Sequence, residues 1–198
     1  MVLLYIPPVQ NLLRREVTAY ASKATGMQIQ VERIDLRFPL NLLVRGVEVI
    51  QQPDTLLSLE SLNVRVQAWP LLKGKVEVDE VTLSQVAVNS ANLIEGMQIK
   101  GVLGRFFLQS HGVDLSNETA VVNRTELSDT HIQLLMTDTT TTPKDTTASA
   151  PVNWKVNLHQ LKLKNVSFGM KLPADSMKMA AYIGEVTIDD AKADLKNQ

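Results

Sequence analysis

Apolar and polar residues alternate along most of this 198-residue chain, and at intervals the alternation slips by one residue and resumes. Five stretches share the pattern: Leu59-Glu-Ser-Leu62-Asn-Val64, Val78-Asp-Glu-Val81-Thr-Leu83-Ser-Gln-Val86-Ala-Val88, Val122-Asn-Arg-Thr125-Glu-Leu127-Ser-Asp-Thr130-His-Ile132, Leu158-His-Gln-Leu161-Lys-Leu163-Lys-Asn-Val166-Ser-Phe168 and Ile183-Gly-Glu-Val186-Thr-Ile188-Asp-Asp-Ala191-Lys-Ala193. Period two is what a β-strand with one buried face requires, because successive side chains point to opposite sides. A two-residue polar spacer such as Asp79-Glu80 would turn the apolar set outward unless a bulge absorbs the extra residue. The pattern therefore predicts long, bulged, strongly curved strands. The copies start at unequal steps, which disfavours a solenoid and suits an antiparallel meander.

One segment obeys a different period. Val9, Leu12, Leu13, Val17, Tyr20, Ala21 and Ala24 follow helical spacing, with Pro8 suited to the first turn and Gly26 to the stop, so an amphipathic helix is expected over 7–26 with Arg14, Arg15, Glu16 and Lys23 on its wet side. Strands are expected over 27–38, 42–50, 55–68, 75–89, 105–110, 120–127, 130–136, 152–171 and 177–195. The turns at 39–41 and 51–54 are too short for anything but antiparallel neighbours. The corner 69–75 has room for one helical turn. Gly96, Gly101 and Gly104 interrupt any strand over 90–104, where a short helix at 92–95 is an alternative. Residues 137–151, rich in Thr and Asp, read as a flexible loop separating a curved sheet (27–136) from its continuation (152–198), which stops in mid-pattern as a fragment would.

Composition narrows the function. Hydrophobic residues make up 44%, enough for a core, while aromatics are only 5%. A net charge of −1 supplies no field for nucleic acid, and the absence of cysteine removes disulfides and thiol chemistry. Met1–Ile6 is wholly apolar but as helix would rise only ~9 Å against the ~30 Å of a bilayer core. It reads either as the end of a truncated transmembrane anchor or as the start of a soluble domain.

No catalytic pattern stands out. His111, His131 and His159 are scattered without carboxylates at ligand spacing, so no metal site is expected. Gly96, Gly101 and Gly104 lack the Lys-Ser/Thr of a phosphate loop and read as loop glycines. Asp79-Glu80 and Asp189-Asp190 occupy spacer positions and read as solvent-facing bulge residues rather than a general acid and base. Asn117, Asn123 and Asn165 head N-glycosylation patterns, and Asp54-Thr, Asp138-Thr, Asp145-Thr and Asp175-Ser match a short bacterial O-glycosylation signal that turn chemistry explains equally well. The chain is expected to be no enzyme and to use no cofactor.

What remains is the apolar face. A closed β-sandwich and an open trough holding lipid chains demand the same period-two stripe. A trough would have a purpose: two acyl chains of ~15 methylenes, at ~0.8 kcal/mol each, cost over ~20 kcal/mol to expose to water.

The order of elements resembles a known family. An apolar start, a helix ending Ser22-Lys-Ala-Thr25-Gly26, then Gln28-Ile-Gln-Val-Glu-Arg-Ile-Asp-Leu-Arg-Phe38-Pro39-Leu40, Val44-Arg-Gly46-Val47-Glu-Val49 and Thr55-Leu-Leu57 resemble the N-terminus of the TamB branch of the AsmA-like superfamily. Trp69-Pro-Leu-Leu-Lys-Gly-Lys75 followed by Val76 to Leu83, then Phe106 to Leu115 and Pro151 to Leu163, continue the style over essentially the whole chain.

The resemblance implies a mainly β fold, with one helix followed by an open, taco-shaped antiparallel β-groove in the periplasm. It also implies a single-pass anchor in the bacterial inner membrane and transport of phospholipids between inner and outer membrane. The alternative role in that family is scaffolding of outer-membrane protein (autotransporter) assembly and secretion beside an Omp85-type barrel. That contact would use C-terminal parts this chain lacks. The groove lining is expected to be Leu62, Val64, Val66, Val76, Val78, Val81, Leu83, Val86, Val88, Leu161, Leu163, Val166, Val186 and Ile188, with phospholipid acyl chains as the partner and no nucleic acid.

Overall fold

A computed structural model describes residues 7–71, 77–91, 93, 96–114, 119–136, 155–172 and 178–194. The chain begins with helix α1 (Pro7–Thr25), closed by Gly26, whose φ of +69° is a left-handed stop and whose N–H donates to Ser22 O at 3.0 Å. Eight strands follow: β1 (Gln28–Arg37), β2 (Asn41–Gln51), β3 (Asp54–Val66), β4 (Val78–Asn89), β5 (Met97–Asp114), β6 (Thr119–Met136), β7 (Lys155–Lys171) and β8 (Lys178–Asp194), with one helical turn, α2 (Ala68–Leu71), after β3. They form one mixed sheet in sequence order that does not close, so the closed sandwich is not formed.

The uniformly antiparallel expectation fails at one place. β7 runs parallel to β6, Thr119 facing Lys155 and Leu135 facing Lys171. Tight turns force reversal, but residues 137–154 offer ~60 Å of reach, enough to return to the start of β6 at ~3.3 Å per residue. That stretch itself, Met1–Ile6 and most of the 69–75 corner lie outside the described residues, as do Asn92, Ile94 and Glu95 of the alternative helix.

Two further differences concern continuity. β5 starts at Met97 and runs straight through Gly101 and Gly104, while β6 is one strand across Ser128–Asp129. The reason is a crease shared by all strands. In each strand two residues separate successive row positions at the same level, apolar except for Thr130: 31/34, 44/47, 59/62, 83/86, 103/106, 127/130, 163/166 and 183/186. The unbridged positions Glu32, Gly46, Glu60, Gln85, Gly104, Asp129, Asn165 and Gly184 form a line across the sheet, and the register is the same on both sides of it. Because every strand carries the extra residue, none slips against its neighbour.

The backbone at the crease depends on direction. Gly46, Gln85, Asp129 and Asn165 have φ of 59°, 50°, 52° and 51°, and they sit in β2, β4, β6 and β7, the four strands that run the same way. Glycine is required where neighbours crowd: a Cβ on Gly46 would lie 2.6 Å from the Glu32 Cβ, and one on Gly104 2.7 Å from the Asp129 Cβ. Gly101 and Gly104 are therefore strand glycines and not the loop glycines that the sequence suggests, whereas Gly96 does lie in a turn.

Helix α1 lies along the free edge of β1. Two polar residues of the helix bond to that edge: the Ser22 hydroxyl accepts from the Ile29 N–H at 3.0 Å, and Arg14, expected on the wet side, donates to Glu32 O at 2.7 Å. An edge strand presents unpaired backbone groups, and these bonds occupy some of them. Tyr20, which helical spacing assigns to the apolar side, is 77% exposed.

Candidate functional site: an apolar face crossing eight strands

Residues paired across a sheet project from the same face, so the register converts the alternating pattern into transverse rows. One row runs Ile34–Val44–Leu62–Leu83–Phe106–Leu127–Leu163–Val186, unbroken through all eight strands. The next is Leu36–Leu42–Val64–Val81–Leu108–Thr125–Leu161–Ile188. Beyond the crease lie Val31–Val47–Leu59–Val86–Leu103–Thr130–Val166–Ile183 and Ile29–Val49–Leu57–Val88–Gly101–Ile132–Phe168–Ala181.

The expected lining residues accordingly fall on one face. Leu62, Leu83, Leu163 and Val186 share the first row, Val64, Val81, Leu161 and Ile188 the second, Val86 and Val166 the third, and Val88 belongs to the fourth. Val66 pairs with Val78 past a bulge at Asp79, and Val76 lies outside the described residues. The expected lining named no residue of β1, β2, β5 or β6, although Leu127 lies in the first row and Val31/Ile34, Val44/Val47 and Leu103/Phe106 carry the same three-residue slip that marked the other strands.

The face is only partly covered. Burial falls from Ile34, 6% exposed, to Ile188, 44% exposed, and among the described residues no large side chain is fully buried. Seven inter-strand steps of ~4.8 Å and about seven residues of ~3.3 Å give the four rows an extent of roughly 34 by 23 Å. That is about 780 Å², above the ~300–600 Å² of the largest apolar patch on an ordinary monomer.

The other face is mostly polar, with Leu43, Val102, Phe107 and Leu135 among the exceptions, and it is locally bonded. Lys162 approaches Glu185 at 2.8 Å, and its hydrogen bond and charge hold that carboxyl below the usual glutamate range. Asn165 donates to Asp129 Oδ1 at 2.9 Å and accepts from the Tyr182 hydroxyl at 3.1 Å, so this asparagine ties three strands together at the crease. Asn123 is half-buried in β6, and Asn117 lies outside the described residues. The carboxylate pairs have partners: Asp79 accepts from Gln67, Glu80 meets Arg65 at 3.3 Å, Asp189 accepts from Gln160 at 3.3 Å and Asp190 meets His159 at 3.2 Å. His131 bonds Ser167 and Gln133, while the His111 side chain lies outside those described. Among the described residues no group of three or more His, Cys, Asp or Glu could hold a metal ion, and no helix is long and apolar enough to cross a membrane.

No protein-family model matches this chain, no curated protein matches it, and no solved structure matches its fold.

Proposed function

We propose that this protein is a non-enzymatic lipid conduit: its apolar face is the inner wall of a taco-shaped groove that carries phospholipid acyl chains between the inner and outer membranes. The observation that carries the reading is the unbroken apolar row across all eight strands of an open sheet. Acyl chains need no hydrogen bonds and no fixed pocket, only a continuous dry wall, and each methylene kept out of water contributes ~0.8 kcal/mol. The resemblance to TamB-like N-termini supports a periplasmic location with an inner-membrane anchor.

One end of the sheet supports a membrane-facing orientation. Phe38, 85% exposed in the β1–β2 turn, and Trp69, 72% exposed in α2, stand in neighbouring connections joined by the Val66 N–H to Leu40 O bond of 3.0 Å. From Ser22 beside Ile29, α1 leads back towards the same end. Exposed Trp and Phe at one rim are what an interfacial contact uses.

A photoreactive residue at position 83 is expected to crosslink co-purifying phospholipid, while one at Thr82, in the neighbouring opposite-face position, is expected to crosslink little. Equal labelling at the two positions would sink the conduit.

A second reading, a scaffold that offers strand edges to unfolded outer-membrane proteins, draws on β8. It is the last strand of the sheet, with no partner strand on its outer side among the described residues. In that case depletion would harm barrel assembly and leave lipid flux unchanged.

A further inference from the structure

The end of the sheet across β5–β8 carries a feature that the conduit reading does not use. Near the ends of these strands lies a cleft of about 430 Å³ bordered by Lys100, Gln133, Leu135, Gly169, Lys171 and Lys178. These six occupy positions of opposite parity to the apolar rows, whereas Leu134, Met170 and Met179, which also border the cleft, have the parity of the apolar rows, so the cleft lies at the strand ends where both faces contribute. The hollow exists because two small residues face each other in its floor, Gly169 opposite Ala180, while longer side chains stand around them.

Its charge is one-sided. Lys171 stands directly opposite Lys178 in the ladder, a like-charge pairing that disfavours the strand contact. Neither these two nor Lys100 forms an ion pair among the described residues, whereas Lys162, further along β7 on the same face, is paired with Glu185 at 2.8 Å. No carboxylate borders the cleft. Three ammonium groups around an apolar floor match an anion that carries an organic body, and the volume is in the range of small-ligand sites, ~300–1,000 Å³.

We propose that this cleft binds the anionic phosphate headgroup of a glycerophospholipid whose acyl chains lie on the apolar face. β8 is the edge of the sheet, so one strand separates the two faces here. The neighbours of the lysines in sequence, Met170 and Met179, face each other on the apolar side. The rim thus offers sulfur-containing apolar side chains to the tail and ammonium groups to the phosphate within one residue of each other. The proposal rests on the groove reading for the position of the acyl chains and adds a substrate class to it: anionic over zwitterionic phospholipid.

The test is co-sedimentation with phosphatidylglycerol vesicles and with phosphatidylcholine vesicles. The proteins compared are the unmodified chain, the K100Q/K171Q/K178Q variant and a charge-matched control, K23Q/K155Q/K164Q. A lysine near an anionic lipid surface contributes roughly fivefold to binding, so the cleft variant should lose about a hundredfold on phosphatidylglycerol. The control should lose far less, and phosphatidylcholine binding should be weak throughout. Equal losses in the two variants would mean diffuse attraction and overturn the site, as would equal binding to the two lipids. Inorganic phosphate that displaces the vesicles as effectively as soluble glycerophosphodiester would identify a free phosphate as the ligand and overturn the lipid assignment. Crosslinking at position 83 separates the two ideas. If it persists without headgroup discrimination, the headgroup site fails alone, and if both are absent the groove fails with it.

Discussion

Gly46→Ala is expected to destabilise the sheet by about 3 kcal/mol, measured as a drop in the urea midpoint at unchanged slope. Two costs combine there. The backbone at Gly46 is left-handed, φ +59°, which costs an L-residue ~1–2 kcal/mol. The new Cβ would also stand 2.6 Å from the Glu32 Cβ on β1, so that strand must shift. Gly101→Ala is the internal control, because its Cβ would meet only His131 O at 3.5 Å and Ile132 Cγ1 at 3.8 Å, both ordinary contacts, and its φ is not left-handed. Set against a total stability of ~5–15 kcal/mol, the difference between two chemically identical substitutions is large. Equal effects at the two positions would show that the crease does not constrain the backbone.

Leu83→Asp combined with Leu127→Asp is expected to cut lipid crosslinking from a probe at position 163 by tenfold or more, with the fold retained. Leu83 and Leu127 lie two strands apart in one row, on either side of Phe106, so two carboxylates ~10 Å apart would interrupt the wall. An acyl chain crossing them must strip water from charged groups, at several kcal/mol. In the unloaded protein both side chains are only partly covered, so water can solvate the new carboxylates. Circular dichroism should therefore match the unmodified chain, and Thr82→Asp, on the polar face, should leave crosslinking intact. Global unfolding of the double variant would mean that the face is a closed core, and unimpaired crosslinking would mean that lipid does not pass along this row.

How much of this was legible beforehand differs by element. The five stretches with period-two alternation are strands, the slips are real, and the expected lining residues that the structure describes pair across neighbouring strands. The helix over 7–25 was legible from spacing and from Gly26, yet two of its polar contacts were not: Arg14 and Ser22 touch β1 through hydrogen bonds that helical periodicity of apolar residues does not reveal. Gly101 and Gly104 misled in the opposite direction. Glycine in a single sequence signals a turn, and only the neighbouring strand shows that Asp129 leaves no room for a Cβ at position 104.

The sequence by itself determined which residues face together within each strand, because side-chain direction alternates residue by residue and needs no partner. It equally determined that β3, β4, β6, β7 and β8 must each carry an extra residue. The tertiary structure alone decided that those extra residues align into one crease, that β7 runs parallel to β6, and that the sheet stays open with α1 along its first edge. Each of these depends on which backbone groups meet across strands far apart in the chain, and hydrogen bonding between distant segments leaves no local period to read.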